Sequence, residues 1–205
     1  MEDSGWRRNK YGGWFNINDY MNDRIRGIND YNENEDDFLV DNQNLIYDPY
    51  NLTQQQRDSI REYTNGIGYG DFKLINGYLN ETRELSDGAK EIIRQKIKTL
   101  DSCINAETKK PFYTYHGTKL NKENLSVGQI IENKGYTSTS IFKNDAGDFT
   151  GPNGTIIKLK VKLGTKALYI GENTSNYKNE HELLIEKGKS IKIIKNGDEV
   201  IGELV

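Results

Sequence analysis

The chain has 205 residues, 34% apolar and 29% charged, with a formal net charge of -3, the profile of a soluble globular protein with enough length for one good core or two small ones. No run of about 18 apolar residues occurs, which excludes a membrane-spanning helix, and the opening residues Met1 to Arg8 lack the apolar stretch of a signal peptide. One cysteine, Cys103, rules out an internal disulfide; with His116 and His181 as the two histidines, a zinc site is not expected, and the mild acidity gives no general pull toward nucleic acid.

In chain order, Phe15, Ile17, Tyr20, Met21, Arg24 and Ile25 are spaced as on one amphipathic helix, capped by Asn18. The acidic stretch Asn32 to Asp37 reads as a solvated loop, closed by Pro49. A helix is expected from Asn51 to Thr64, with Thr53 as cap and Gln56 completing a capping box. Gly66, Gly68 and Gly70 break it, and Ile75 to Leu79 begins a short second helix. Ser86 opens a third, whose apolar face is Ala89, Ile92, Ile93, Ile97 and Leu100.

After Pro111 the period changes. Tyr113 to His116 reads as a strand and Asn124 to Ile131 as a turn or short helix. Ile157, Leu159, Val161 and Leu163 alternate with lysines, as on a half-buried strand. Ile191 to Ile194 leads through an Asn196, Gly197 turn into Val200 to Val205. Helices followed by strands predict an α+β fold, a helical part packed on a mixed sheet. The expected organisation is a single domain over 1–205, with a helical preface (1–50), a helical part (51–110) and a β core (111–205).

Near the C-terminus Tyr177, Lys178, Asn179, Glu180, His181 and Glu182 precede Leu183, Leu184 and Ile185. If this is one strand, alternation puts Glu180 and Glu182 on the same side. Two other segments stand out: Tyr115, His116, Gly117, Thr118, and Ser138, Thr139, Ser140 after Gly135 and Tyr136. Taken together, these three motifs resemble the mono-ADP-ribosyltransferase exotoxin family. Its members grip and cleave NAD with a basic residue on one strand, Ser-Thr-Ser on a second and Glu-x-Glu on a third. The resemblance covers roughly residues 50 to 195.

That resemblance implies NAD as co-substrate, in a cleft between helices and sheet, and gives the residues roles. Glu182 stabilises the ribosyl cation that forms as nicotinamide leaves. Ser138 holds its rotamer, and Thr139 and Ser140 complete the motif. Glu180 stands where arginine-modifying members carry glutamate; a carboxylate there would ready a guanidinium, whose pKa above about 12 makes it a poor nucleophile unaided. Tyr177 falls where actin-modifying relatives place an aromatic facing the target. Phe149 would stack on nicotinamide.

The first motif departs from the toxins' usual arginine: Tyr115, His116, Gly117, Thr118 resembles diphtheria toxin and the poly-ADP-ribose polymerases. There the histidine holds a ribose and the glycine backbone clamps the nicotinamide amide. Imidazole cannot supply an arginine's bidentate phosphate grip, so Arg61, Tyr63 and Asn76 are expected to help hold NAD, with Arg83 and Arg94 further candidates. The implied activity is transfer of ADP-ribose to an arginine of a host protein, actin among the candidates, without membrane or metal. Alternatives are an NAD glycohydrolase, transfer to a nucleic acid or small molecule, and a decayed fold serving as a binding module. The expected setting is a secreted or injected protein acting in a host cytoplasm, with a delivery component or larger parent chain. A phage protein acting in the bacterial cytoplasm is the alternative.

Overall fold

The computed structural model describes residues 35–170 and 181–205, together with the backbone of three short strands nearer the N-terminus. Of these, β1 (Trp6–Arg8) and β2 (Trp14–Asn16) pair antiparallel. The third, β3 (Asn29–Asp30), runs parallel to β4 (Phe112–Thr118). The opening segment is therefore not purely helical: Phe15, expected on a helix, lies in β2, and the rest of that expected helix, with its Asn18 cap, falls outside the described residues. The acidic stretch also differs from expectation. Glu35, Asp36 and Asp37 form the first turn of helix α1 (Glu35–Asp41), where the positive end of the helix dipole favours carboxylates and burial of Phe38 anchors the helix.

Three helices follow. α2 (Gln54–Asn65) starts at the Thr53 cap, where the Thr53 hydroxyl accepts from the Gln56 backbone and the Gln56 side chain accepts from the Thr53 backbone. This is the capping box expected from sequence, three residues inside the expected start. The helix ends at Gly66, whose φ of 63° is the left-handed conformation glycine adopts without strain. α3 (Phe72–Leu79) is capped by Asp71. α4 (Asp87–Cys103), capped by Ser86, buries Ile93, Ile97, Leu100 and Cys103. Ile92, expected on that face, sits at its margin and is 42% exposed.

The main sheet also contains β5 (Ile130–Ile131), β6 (Thr137–Ser140), β7 (Thr155–Val161), β8 (Ala167–Tyr169), β9 (Glu182–Ile185), β10 (Ile191–Asn196) and β11 (Val200–Leu204). A one-turn helix α5 (Lys143–Gly147) joins β6 to β7. Strand order is β5-β10-β11-β7-β4-β6-β9-β8, with β3 added beside β4. The β11 and β7 pair is parallel; the other pairs along the path are antiparallel. β7 alternates buried and half-buried residues as expected, while Leu163 lies beyond its end and is exposed.

The period-two alternation sorts side chains into two cores. Phe38, Phe112, Ile157, Leu159, Val161, Leu183 and Ile185 pack together on one side. On the other, Leu168 and Leu184 join Ile60, Tyr63, Ile75, Ile93 and Leu100 from α2, α3 and α4, with Tyr136 between them. The architecture is α+β, and Leu184 of β9 faces the helices while its neighbours face away.

Candidate active site

The site begins where the sheet opens. β4 and β6 meet at one pair, Tyr115 opposite Ser140. Beyond it β4 stays paired with β7 through Thr118, and β6 with β9 through Thr137. The two strands thus diverge into a wedge, lined on one side by His116 and Gly117 and on the other by the Ser138 segment. Glu182 pairs with Ser140 at the apex.

Glu182 shares a sheet face with Leu184, which packs under the helices, so its carboxylate belongs to the helical side. Its main chain is fixed from two directions: the Glu182 carbonyl accepts from Ile170 N at 2.9 Å, and the preceding His181 carbonyl accepts from Ile141 N at 3.3 Å. Next to it lies Tyr63 of α2, fully buried, whose hydroxyl bonds Asn76 and Ser138. Burial first, and then the negative charge of Glu182, push the Tyr63 phenol well above its usual pKa. It is a neutral hydroxyl under the site.

His116 bridges the wedge, its Nδ1 lying 2.9 Å from the Ser138 carbonyl. A carbonyl only accepts, so Nδ1 carries the proton and the neutral ring presents Nε2 as an acceptor. Burial lowers the pKa of His116 below that of a free imidazole, against the opposing pull of the Ser138 bond. The ring is therefore set to accept from a hydroxyl. Gly117 is needed for close approach: a Cβ there would collide with the Ala146 carbonyl and come within 3.1 Å of the Phe149 Cβ. That contact brings Phe149, half exposed, beside the first motif.

A model of the ADP-ribosyltransferase exoenzyme family matches residues 5–202. The chain belongs to that family. It is 28% identical over 154 residues to the NAD(+)--arginine ADP-ribosyltransferase EFV of Enterococcus faecalis, a match over 71% of this chain and 30% of that protein. The chain thus spans under a third of that relative's length. Among solved structures, C3stau2 of S. aureus with NAD shares 22% identity at a TM-score of 0.53, covering 76% of this chain and 87% of its own. The ADP-ribosylating toxin BECa of C. perfringens with NADH shares 21% at a TM-score of 0.64, covering 86% of this chain and 49% of its own. The fold is that of the ADP-ribosyltransferases, and these two structures hold NAD and NADH.

Within this ADP-ribosyltransferase fold, His116, Gly117, Ser138, Phe149 and Glu182 keep accessible surface around the wedge. Other expected contacts are absorbed by the protein. Tyr115 and Ser140 are buried at the apex, and Thr139 is buried on the opposite face, where it donates to the Leu183 carbonyl at 2.8 Å and bonds Thr114. Asn76 is spent on tying α3 to β6, accepting from Tyr136 N at 2.9 Å and donating to Tyr63 and the Tyr136 carbonyl. Arg61 lies two residues from buried Tyr63, hence on the far side of α2, and pairs with Asp58. Arg94 bonds Tyr78 and pairs with Glu91, while Arg83 packs against Gly77.

Glu180 and Tyr177 lie outside the described residues. β9 is described from Glu182, and His181 before it has a φ of 41°. Sequence reading missed a groove of about 670 Å³ that shares Asn76 with the site and carries Lys73 and Lys134. Two lysines separated by 61 residues give no local signal.

Proposed function

We propose that this chain is an NAD-dependent mono-ADP-ribosyltransferase that transfers ADP-ribose to an arginine side chain of a protein and releases nicotinamide. The observation that carries the reading is Glu182, held by main-chain bonds on both sides at the apex of the wedge, beside Tyr63 and Ser138. Loss of nicotinamide leaves an oxocarbenium-like ribosyl centre, and a carboxylate fixed in place lowers that barrier more than it stabilises NAD. In this scheme His116 Nε2 accepts from a ribose hydroxyl, Gly117 offers its backbone to the nicotinamide amide, and Phe149 supplies the apolar face for the ring. Lys73, in the groove beside Asn76, supplies positive charge toward the phosphates in place of the missing arginine; Lys134 of the same groove is paired with Glu81 at 2.9 Å.

Arginine as acceptor rests on Glu180, two residues before Glu182, and on the Enterococcus relative named for arginine transfer. A target in a host cytoplasm, with actin a candidate, is part of the same proposal. The test is mass spectrometry of a cell lysate incubated with NAD and either the intact chain or its Glu180→Gln variant. ADP-ribosyl adducts on arginine with the intact chain, lost in Glu180→Gln while nicotinamide release continues, support the reading. Nicotinamide release without protein adducts makes the chain a glycohydrolase and refutes transfer.

A further inference from the structure

His181 is a non-glycine residue in the left-handed region, with a φ of 41°, immediately before Glu182. Such a conformation is unfavourable for an L residue and persists only where its surroundings hold it. The side chain shows what holds it. Nδ1 donates to Asp145 Oδ2 at 2.8 Å, and Nε2 lies 3.5 Å from Glu35 Oε2. The ring also packs edge-on against Phe142, centroids 4.5 Å apart.

Each carboxylate is itself anchored. Asp145 of α5 accepts from the Ser140 hydroxyl at 3.2 Å, and that hydroxyl also accepts from Phe142 N. Glu35 of α1 accepts from the Tyr169 hydroxyl at 2.6 Å. The chain of bonds therefore runs from β6 and α5 through the His181 ring to α1 and β8. It closes around the residue whose backbone turn decides where β9 begins.

We propose that Asp145 and His181 are positioning residues: their bond fixes the left-handed turn that aims the Glu182 carboxylate, so they govern the chemical step without touching NAD. This rests on the reading of Glu182 as the catalytic carboxylate. It explains why Ser140 is buried on Asp145 and how α5 is coupled to the third motif. A group that orients a catalytic residue acts mainly in the transition state, so its loss lowers kcat and spares KM.

The test uses the full chain and follows nicotinamide release against NAD concentration in Asp145→Ala, Asp145→Asn and His181→Gly. Glycine keeps access to the left-handed turn and removes the ring. Asp145→Ala and His181→Gly are expected to lower kcat about 10- to 100-fold, with the KM for NAD within about twofold of wild type and folding retained by circular dichroism. Asp145→Asn, which keeps an acceptor for Nδ1, is expected to recover part of the loss. Wild-type kcat in Asp145→Ala, a KM effect alone, or no recovery in Asp145→Asn overturns the proposal. Inactive wild-type chain would instead refute the transferase reading. The positioning claim is then decided by the backbone amide resonances of Glu182 and Leu183 in Asp145→Ala: a shift supports it and unmoved signals overturn it.

Discussion

Replacing Asn76 by alanine distinguishes a protein clamp from a ligand contact. The Asn76 amide accepts from Tyr136 N at 2.9 Å and donates to the Tyr63 hydroxyl at 3.1 Å and the Tyr136 carbonyl at 3.3 Å. Tyr63 and Tyr136 are both nearly fully buried. Truncation leaves a backbone N–H and a phenol oxygen short of partners, at about 1–3 kcal/mol for each unsatisfied group. Water entering the gap from the neighbouring groove recovers part of this, so about 2–4 kcal/mol is expected in all. For a chain of this size that is a fall in Tm of roughly 5–15 °C. Urea unfolding followed by circular dichroism reads the stability, and NAD titration at low temperature reads affinity in the folded fraction. An Asn76→Ala variant with wild-type stability but weakened NAD binding would refute the clamp and restore Asn76 as a ligand contact.

Other consequences follow from the same packing. Gly117→Ala forces a methyl against the Ala146 carbonyl and Phe149, and is expected to cost about 1–3 kcal/mol, read by thermal unfolding; an unchanged Tm would mean α5 is not seated on β4. The folded pKa of His116 lies below its unfolded value, so its neutral form stabilises the fold above the unfolded pKa of about 6.5 and that contribution is lost as pH falls through the folded pKa. Stability should therefore fall less steeply on acidification in His116→Gln than in wild type, and identical slopes in urea titrations would contradict the burial argument. Burial pushes the Cys103 thiol up to about 11, so the native chain at pH 8 should resist a thiol reagent that modifies the urea-unfolded chain rapidly.

What could be read ahead in the sequence was what depends on near neighbours. The Thr53 and Gln56 capping box, the Ile93, Ile97, Leu100 stripe and the Ile157, Leu159, Val161 alternation are short-range patterns, and each produced its element. The α+β layout followed from them. The three motifs likewise announced the family, and His116, Gly117, Ser138 and Glu182 meet around one wedge. What was hidden depends on distant partners. Nothing near Thr139 says that its hydroxyl is consumed by the Leu183 carbonyl, 44 residues on. Helical spacing could have shown that Arg61 and Tyr63 point apart. The left-handed turn at His181 has its side-chain partners in Glu35 and Asp145, residues far from it in sequence, which no local pattern shows.

The central claim is that Glu182 is the carboxylate on which NAD cleavage depends. Its most direct test is the rate of nicotinamide release from NAD by the full chain and by Glu182→Gln, a nearly isosteric change that removes the charge. Release by the wild-type chain is expected, with a loss of about 10²-fold or more in kcat for the variant and NAD still bound. A Glu182→Gln variant that releases nicotinamide at the wild-type rate would contradict it.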